Sequence, residues 1–236
     1  MRQDNLQSAS TKSKQSKEKI FSNLKDSGLP STEDLKPPEI KLERQSSSEE
    51  NLKTFVKNLE ENKAFVFHAT ASDIDANFKK DHQQKPLKEV IEKIIEDQKI
   101  KNCFVGKTLT HLLKDTPTVK PSEKYFAEKE IYNLEAAITH AQGGVADVGA
   151  LAIVPNNEEP RSITLIPPIH IVVVDKKNIF TTVDDFLSNS LPSTGNDPLP
   201  TNIVFVSGPS KTADLVGKLC FGIHGPKKLY VIINHS

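Results

Sequence analysis

The chain contains no tryptophan, a single methionine and only two cysteines in 236 residues. Cys103 and Cys220 lack the repeated close spacing of a zinc or iron–sulfur nest, so no intrinsic metal, cluster or disulfide framework is expected. Both cysteines read as buried packing residues. An excess of charge of either sign is also missing. Lys plus Arg and Asp plus Glu each total 31, which removes any global electrostatic case for binding DNA or RNA. Lys12, Lys14, Lys17 and Lys19 have acidic counterparts nearby and read as a solvated segment, not a nucleic-acid arm. No stretch approaches the roughly 18 uninterrupted apolar residues of a membrane span, and MRQDNLQSAS has no signal-peptide run. Membrane insertion is therefore not expected, and a reducing cytoplasmic location is the default.

What is present suffices for one substantial core, with 36% of residues hydrophobic. Residues 1–47 are rich in Ser, Lys, Gln, Glu and Pro and read as a flexible or partly helical arm. Within it KEKIFSNLKD can form an amphipathic helix around Ile20, Phe21 and Leu24, while LPSTEDLKPPEIKLERQSSS reads as a linker. Its scattered apolar residues offer too little burial for an obligatory core layer.

Residues 48–236 read as one α/β domain, a mostly parallel sheet flanked by helices. A capped amphipathic helix carrying Leu52, Phe55, Val56 and Leu59 leads into a short buried strand at AFVF. PLKEVIEKIIED predicts a second helix, NCFV a strand, and a short helix follows Gly106. A helical stretch is expected near EIYNLEAAITHAQ, with short apolar runs in GGVADVGALAIV and two strands in SITLIPPIHIVVVD separated by a Pro turn. TNIVFVSGPSKTADLVGKL predicts strand, tight turn and helix, and KKLYVIIN a last buried strand. Homo-oligomerisation is compatible with such a domain, although no patterned coiled coil specifies it.

The strongest local constellation is Ser207-Gly208-Pro209-Ser210-Lys211-Thr212-Ala213-Asp214. After an apolar strand, Gly208 permits a tight turn, Ser210 or Thr212 can cap a helix, and the helix-start N–H groups with Lys211 can receive an anion. Structural capping accounts for the same residues equally. His170 and His224 are the candidates for proton transfer near neutral pH, with a hydrogen-bonded core histidine the competing reading of His170. Asp147 and Arg161 flank a run whose NNEEP segment looks like a hairpin connection. They can hold a polar ligand or pair with each other. Glu158 and Glu159 read as solvating that turn, and His68, His111 and His140 lack metal-like neighbours. Neither a nucleophilic triad nor a nucleotide-triphosphate loop is specified.

SGPSKTADLVGKLCFGIHGPKKLYVII, supported by RSITLIPPIHIVVV, resembles the lactate-utilisation protein C group of the LUD domain family over approximately residues 50–235. The resemblance implies a fold related to the sugar-phosphate isomerase and CoA-transferase-like group. It also implies an accessory or subunit role in bacterial oxidation of L-lactate to pyruvate, beside separate iron–sulfur partners. The alternative is an independent binding module or enzyme for a phosphorylated or CoA-bearing small molecule. A ligand cleft would draw on Asp147, Gly149, Arg161, His170, Ser207, Gly208, Ser210, Lys211, Thr212, Asp214 and His224. One departure stands out: Ala146-Asp147-Val148-Gly149-Ala150 occupies the place of the family's Ala-Glu-Thr-Gly-Thr, shortening one carboxylate and removing two hydroxyls.

Overall fold

The computed structural model describes Ser16 and residues 18–19, 21–22, 47–70, 85–121, 128–190, 199–213 and 219–235. The chain divides into two compact units, Met1–Glu43 and Arg44–Ser236. In the first, Glu18, Lys19, Phe21 and Ser22 are helical, whereas Ile20 and Leu24 of the expected helix lie outside the described residues.

The second unit opens with helix α1 (Ser48–Glu61). Its N-terminus is closed by a reciprocal pair: the Ser47 hydroxyl accepts from the Glu50 N–H at 3.2 Å, and the Ser47 N–H donates to the Glu50 carboxylate at 3.0 Å. Ser47→Ala is expected to destabilise the domain by about 1 kcal/mol, and Ser47→Asp to retain most of it. Equal urea midpoints for all three proteins would remove the box from the stability of α1.

Seven parallel strands follow one another across a single sheet in the order β2 (Lys85–Pro86), β1 (Phe65–Thr70), β13 (Lys228–Asn234), β8 (Ile169–Asp175), β5 (Ala136–His140), β3 (Cys103–Val105) and β4 (Val119–Pro121). The three central strands are buried on both faces, so they read as continuous apolar runs without alternation. Ile171, Val173, Tyr230 and Ile232 face helices α2 (Leu87–Asp97) and α3 (Lys107–Leu113). Val172, Val174, Val231 and Ile233 face Leu52, Phe55 and Leu59 of α1. Full burial of each such side chain contributes about 1.5–3 kcal/mol, and these two layers are the core. β1 is only partly buried, with Phe65 exposed.

On the α1 side lies a second sheet, ordered β10 (Val204–Val206), β7 (Ala150–Ile153), β6 (Gly143–Val145) and β9 (Ile179–Phe180). Helix α5 (Val183–Ser190) covers it through Phe186. A two-stranded pair, β11 (Lys211–Ala213) with β12 (Leu219–Phe221), completes the described strands.

Four expectations are corrected. The helical stretch near EIYNLEAAITHAQ contains only the short α4 (Glu128–Ile131), and Ala136–His140 is strand β5. Small and branched residues buried on both faces outweigh the helix preference of Glu and Ala. SITLIPPIHIVVVD holds one strand, because Arg161–Thr164 is a 3-10 turn bounded by Pro160 and Pro167. NNEEP is not a hairpin connection: the Asn156 side chain accepts from the Glu158 and Glu159 N–H groups and turns the chain toward that 3-10 segment. Lys211–Ala213 do not begin a helix, since they pair antiparallel with Leu219–Phe221, and residues 214–218 of the expected helix lie outside the described residues.

Candidate functional site

The motif residues meet at the N-terminal edge of the parallel sheet, against the last turn of α1. The Asn58 side-chain amide donates to the carbonyls of Ala146 and Asp147 at 2.8 and 3.1 Å. A Cβ on Gly149 would lie 2.6 Å from Asn58 Cβ, and one on Gly208 would lie 2.6 Å from the Asn62 carbonyl oxygen. Both glycines are therefore bare because α1 approaches them. Beyond Gly208, the Ser210 N–H donates to the Pro226 carbonyl at 2.8 Å, its carbonyl accepts from Gly222 at 3.0 Å, and its hydroxyl accepts from the His224 N–H at 3.2 Å. The Pro168 carbonyl accepts from Lys227 and Lys228, which fastens this knot to the starts of β8 and β13.

Asp147, Gly149, Ser207, Gly208, Ser210 and His224 thus belong to one region, with Asp147, Ser207, Lys211 and His224 exposed. The Ser210, Gly222 and His224 N–H groups are spent on protein acceptors, and Lys211–Ala213 lie in a strand pair, so none of these is a helix-start donor of the kind expected for an anion. Thr212 sits opposite Cys220 in the strand pair, and Asp214 lies outside the described residues.

Two candidates stand apart. His170 is fully buried, its Nε2 2.9 Å from the Thr139 hydroxyl and its Nδ1 without a hydrogen-bond partner. Burial pushes its pKa down to about 3, so the ring is neutral and structural. Arg161 is exposed at the start of the 3-10 segment, two residues after Glu159. The Glu159 carboxylate accepts the Lys107 N–H at 2.9 Å at the opposite end of the sheet, and burial raises its pKa. Glu158 pairs with Lys107 Nζ at 2.7 Å, so this acid pair fastens the start of α3 as well as solvating a turn.

The C-terminal edge of the sheet carries groups that motif reasoning passed over. His140, Asp175 and Asn234 end the adjacent strands β5, β8 and β13. Asn234 Nδ2 donates to Asp175 Oδ1 at 2.7 Å, and Asp175 Oδ2 lies 3.4 Å from His140 Nε2. Beside them His68 Nδ1 and His235 Nε2 are 2.8 Å apart, and Lys176 pairs with Glu49. Burial lowers the pKa of both histidines, and the His68 imidazole and Lys176 lower that of His235 further. Lys176 lowers that of Glu49. His68, His140, Asp175, Asn234 and His235 lie at the ends of apolar-rich runs in the sequence, FVFH, AAITH, IVVVD and YVIINH, which is the signal that locates them. Among the described residues no group of three or more His, Cys, Asp or Glu side chains can hold a metal ion, and no helix is long and apolar enough to cross a membrane.

An all-parallel sheet, helices on both faces and a smaller mixed sheet packed on one of them define the class of α/β domain. The chain belongs to the LUD domain family, whose profile matches residues 52–233. Similar curated proteins include an uncharacterized protein of Neisseria meningitidis, 36% identical over 101 residues and covering 42% of each chain. Lactate utilization protein C of Shouchella clausii is 26% identical over 140 residues, covering 59% of this chain and 60% of that one. The Bacillus subtilis protein of the same name is 28% identical over 134 residues, covering 52% and 55%. The chain spans about half the length of the curated relatives it matches. The crystal structure of a DUF162 family protein from Deinococcus radiodurans shares the fold, with a TM-score of 0.58 at 20% identity over 80% of this chain and 99% of that one.

Proposed function

We propose that this protein is a cytoplasmic, non-iron–sulfur component of bacterial L-lactate utilisation that works beside separate iron–sulfur proteins in the oxidation of L-lactate to pyruvate. The observation that carries this reading is the construction of the motif surface. The Ser210, Gly222 and His224 N–H groups are consumed internally, while exposed Val148 and Ile223 accompany the charged or polar side chains of Asp147, Lys211 and His224. Exposed apolar side chains among polar ones favour a surface for a protein partner over a nest for a small anion. Family membership and relatives named for lactate utilisation supply the pathway. Cys103 and Cys220 are too few and too widely spaced for a Cys-ligated cluster, so on this reading the electron-carrying clusters belong to the partners.

Deleting the gene in its native cell is expected to abolish growth on L-lactate while leaving growth on pyruvate intact. Complementation by the wild type should restore it, and a Val148→Asp/Ile223→Asp variant that melts normally should not. Undiminished growth of the deletion strain on L-lactate would overturn the reading.

The alternative is an independent module for a phosphorylated or CoA-bearing small molecule, on a fold related to the sugar-phosphate isomerase and CoA-transferase-like group. Exposed Lys211 beside the Ser210 turn favours it. Calorimetric binding of CoA that is lost in Lys211→Ala would raise it above the first reading.

A further inference from the structure

We propose that the His68–His235 contact is an acid-released clasp: it fastens the ends of β1 and β13 to each other while at least one of the two imidazoles is neutral, and it opens when both are protonated.

The contact runs diagonally across two parallel strands. His68 stands opposite Ile233 in the register, Ala69 stands opposite Asn234, and the His235 N–H donates to the Ala69 carbonyl at 2.8 Å. Alternation places His68 on the face of Val66, and His235 on the face of Val231 and Ile233, which is the face covered by α1. There His68 Nδ1 lies 2.8 Å from His235 Nε2, with the ring centroids 5.1 Å apart and the planes tilted by 46°. Two nitrogens at that distance share one hydrogen, one ring donating and the other accepting. The ring contact thus locks the backbone bond that ties His235 to β1.

Protonation acts on this lock in two stages. A first proton leaves an imidazolium facing a neutral ring, and the bond holds with added charge. A second puts an N–H on both facing nitrogens, and no acceptor is left between them. Burial lowers the pKa of both rings, so the second proton arrives below the ordinary histidine value and the clasp is closed at neutral pH. Its contribution is present in full above that value and is lost as pH falls.

The charges that face the pair come from two elements. Lys176, just after β8, disfavours charge on both rings. From α1, Glu60 favours it on His68 and Glu49 on His235, but Glu49 is already paired with Lys176 and also feels Lys53. A doubly protonated pair therefore adds two positive charges where one ammonium and one carboxylate balance. Lys85 stands opposite Ala69, and Asp175 opposite Asn234, so alternation turns both to the other face of the sheet.

Imidazole and amide nuclear magnetic resonance on the full chain, from about pH 7.5 down to about pH 4, tests the clasp. The two rings are expected to titrate in coupled steps. Through the lower step, exchange of the His235 amide should rise about tenfold or more relative to that of Val172 at the sheet centre. His68→Asn puts a side-chain amide where Nδ1 stood, able to donate to or accept from His235 at any pH, so the rise should vanish. His68→Ala has nothing to offer and should show raised exchange at every pH. The proposal is overturned by independent titration of the two rings, by an equal acid rise in His68→Asn, or by wild-type protection in His68→Ala. Parallel exchange of His235 and Val172 would overturn it too, by tracing the effect to global unfolding.

Discussion

Between about pH 7 and about pH 4.5 the wild-type domain is expected to lose about 3 kcal/mol more stability than a His170→Gln variant. His170 lies at the centre of the sheet with no exposed surface, and burial pushes its pKa down to about 3. The unfolded chain takes up a proton on this imidazole near its ordinary value of about 6.5, whereas the folded chain refuses it. A depressed histidine contributes stability that is present in full above the unfolded pKa and is lost as pH falls from there toward the folded value. Each pH unit in that window costs about 1.4 kcal/mol. His68 and His235 act in the same direction but remain in both proteins, so they cancel in the comparison. Urea denaturation at several pH values reads the difference. Parallel profiles for the two proteins would mean that His170 is protonated in the folded state or reached by water.

Gly149→Val is expected to cost about 3 kcal/mol or more at neutral pH, enough to leave a marginal domain largely unfolded. Gly149 has φ 58°, and a Cβ there would lie 2.6 Å from Asn58 Cβ and 2.8 Å from the Asn58 carbonyl carbon. The left-handed backbone costs a branched residue about 1–2 kcal/mol, and forcing α1 outward adds about 1–3 kcal/mol. Gly149→Asn separates the two effects, because asparagine tolerates this backbone but still carries the Cβ. Near-native stability of Gly149→Asn would show that α1 yields easily, and a stable Gly149→Val would refute the account altogether. The result also bears on the family resemblance, since a glycine required by packing needs no ligand to explain it.

Strands with strong apolar runs were legible from their residues: NCFV, IHIVVVD, IVFV and KKLYVIIN all form where they were expected. The amphipathic helices at LKTFVKNL and PLKEVIEKIIED were legible for the same reason. Ala136–His140 was not, because an Ala-Ala-Ile run in a fully buried strand has no period of two to betray it. Lys211–Ala213 misled through its neighbours: Ser-Gly-Pro-Ser is a good helix preface, but only the pairing with Leu219–Phe221, invisible locally, decides the conformation. The gathering of Asp147, Gly149, Gly208, Ser210 and His224 followed from motifs quoted in sequence order. The row of His140, Asp175 and Asn234 required strand order, which no local pattern encodes.

The last strand of the chain, β13, lies between β1 and β8 and pairs with both. During synthesis the ribosome therefore releases β1 and the β8–β5–β3 block with an unfilled slot between them, each bordering it with an open row of backbone donors and acceptors. Until Lys228–Asn234 emerge, the nascent protein has two sheet fragments and no means of joining them in native register. Completion of the sheet therefore waits for Lys228–Asn234, and a chain cut before them would be a substrate for chaperones or aggregation, not a shortened version of the folded domain.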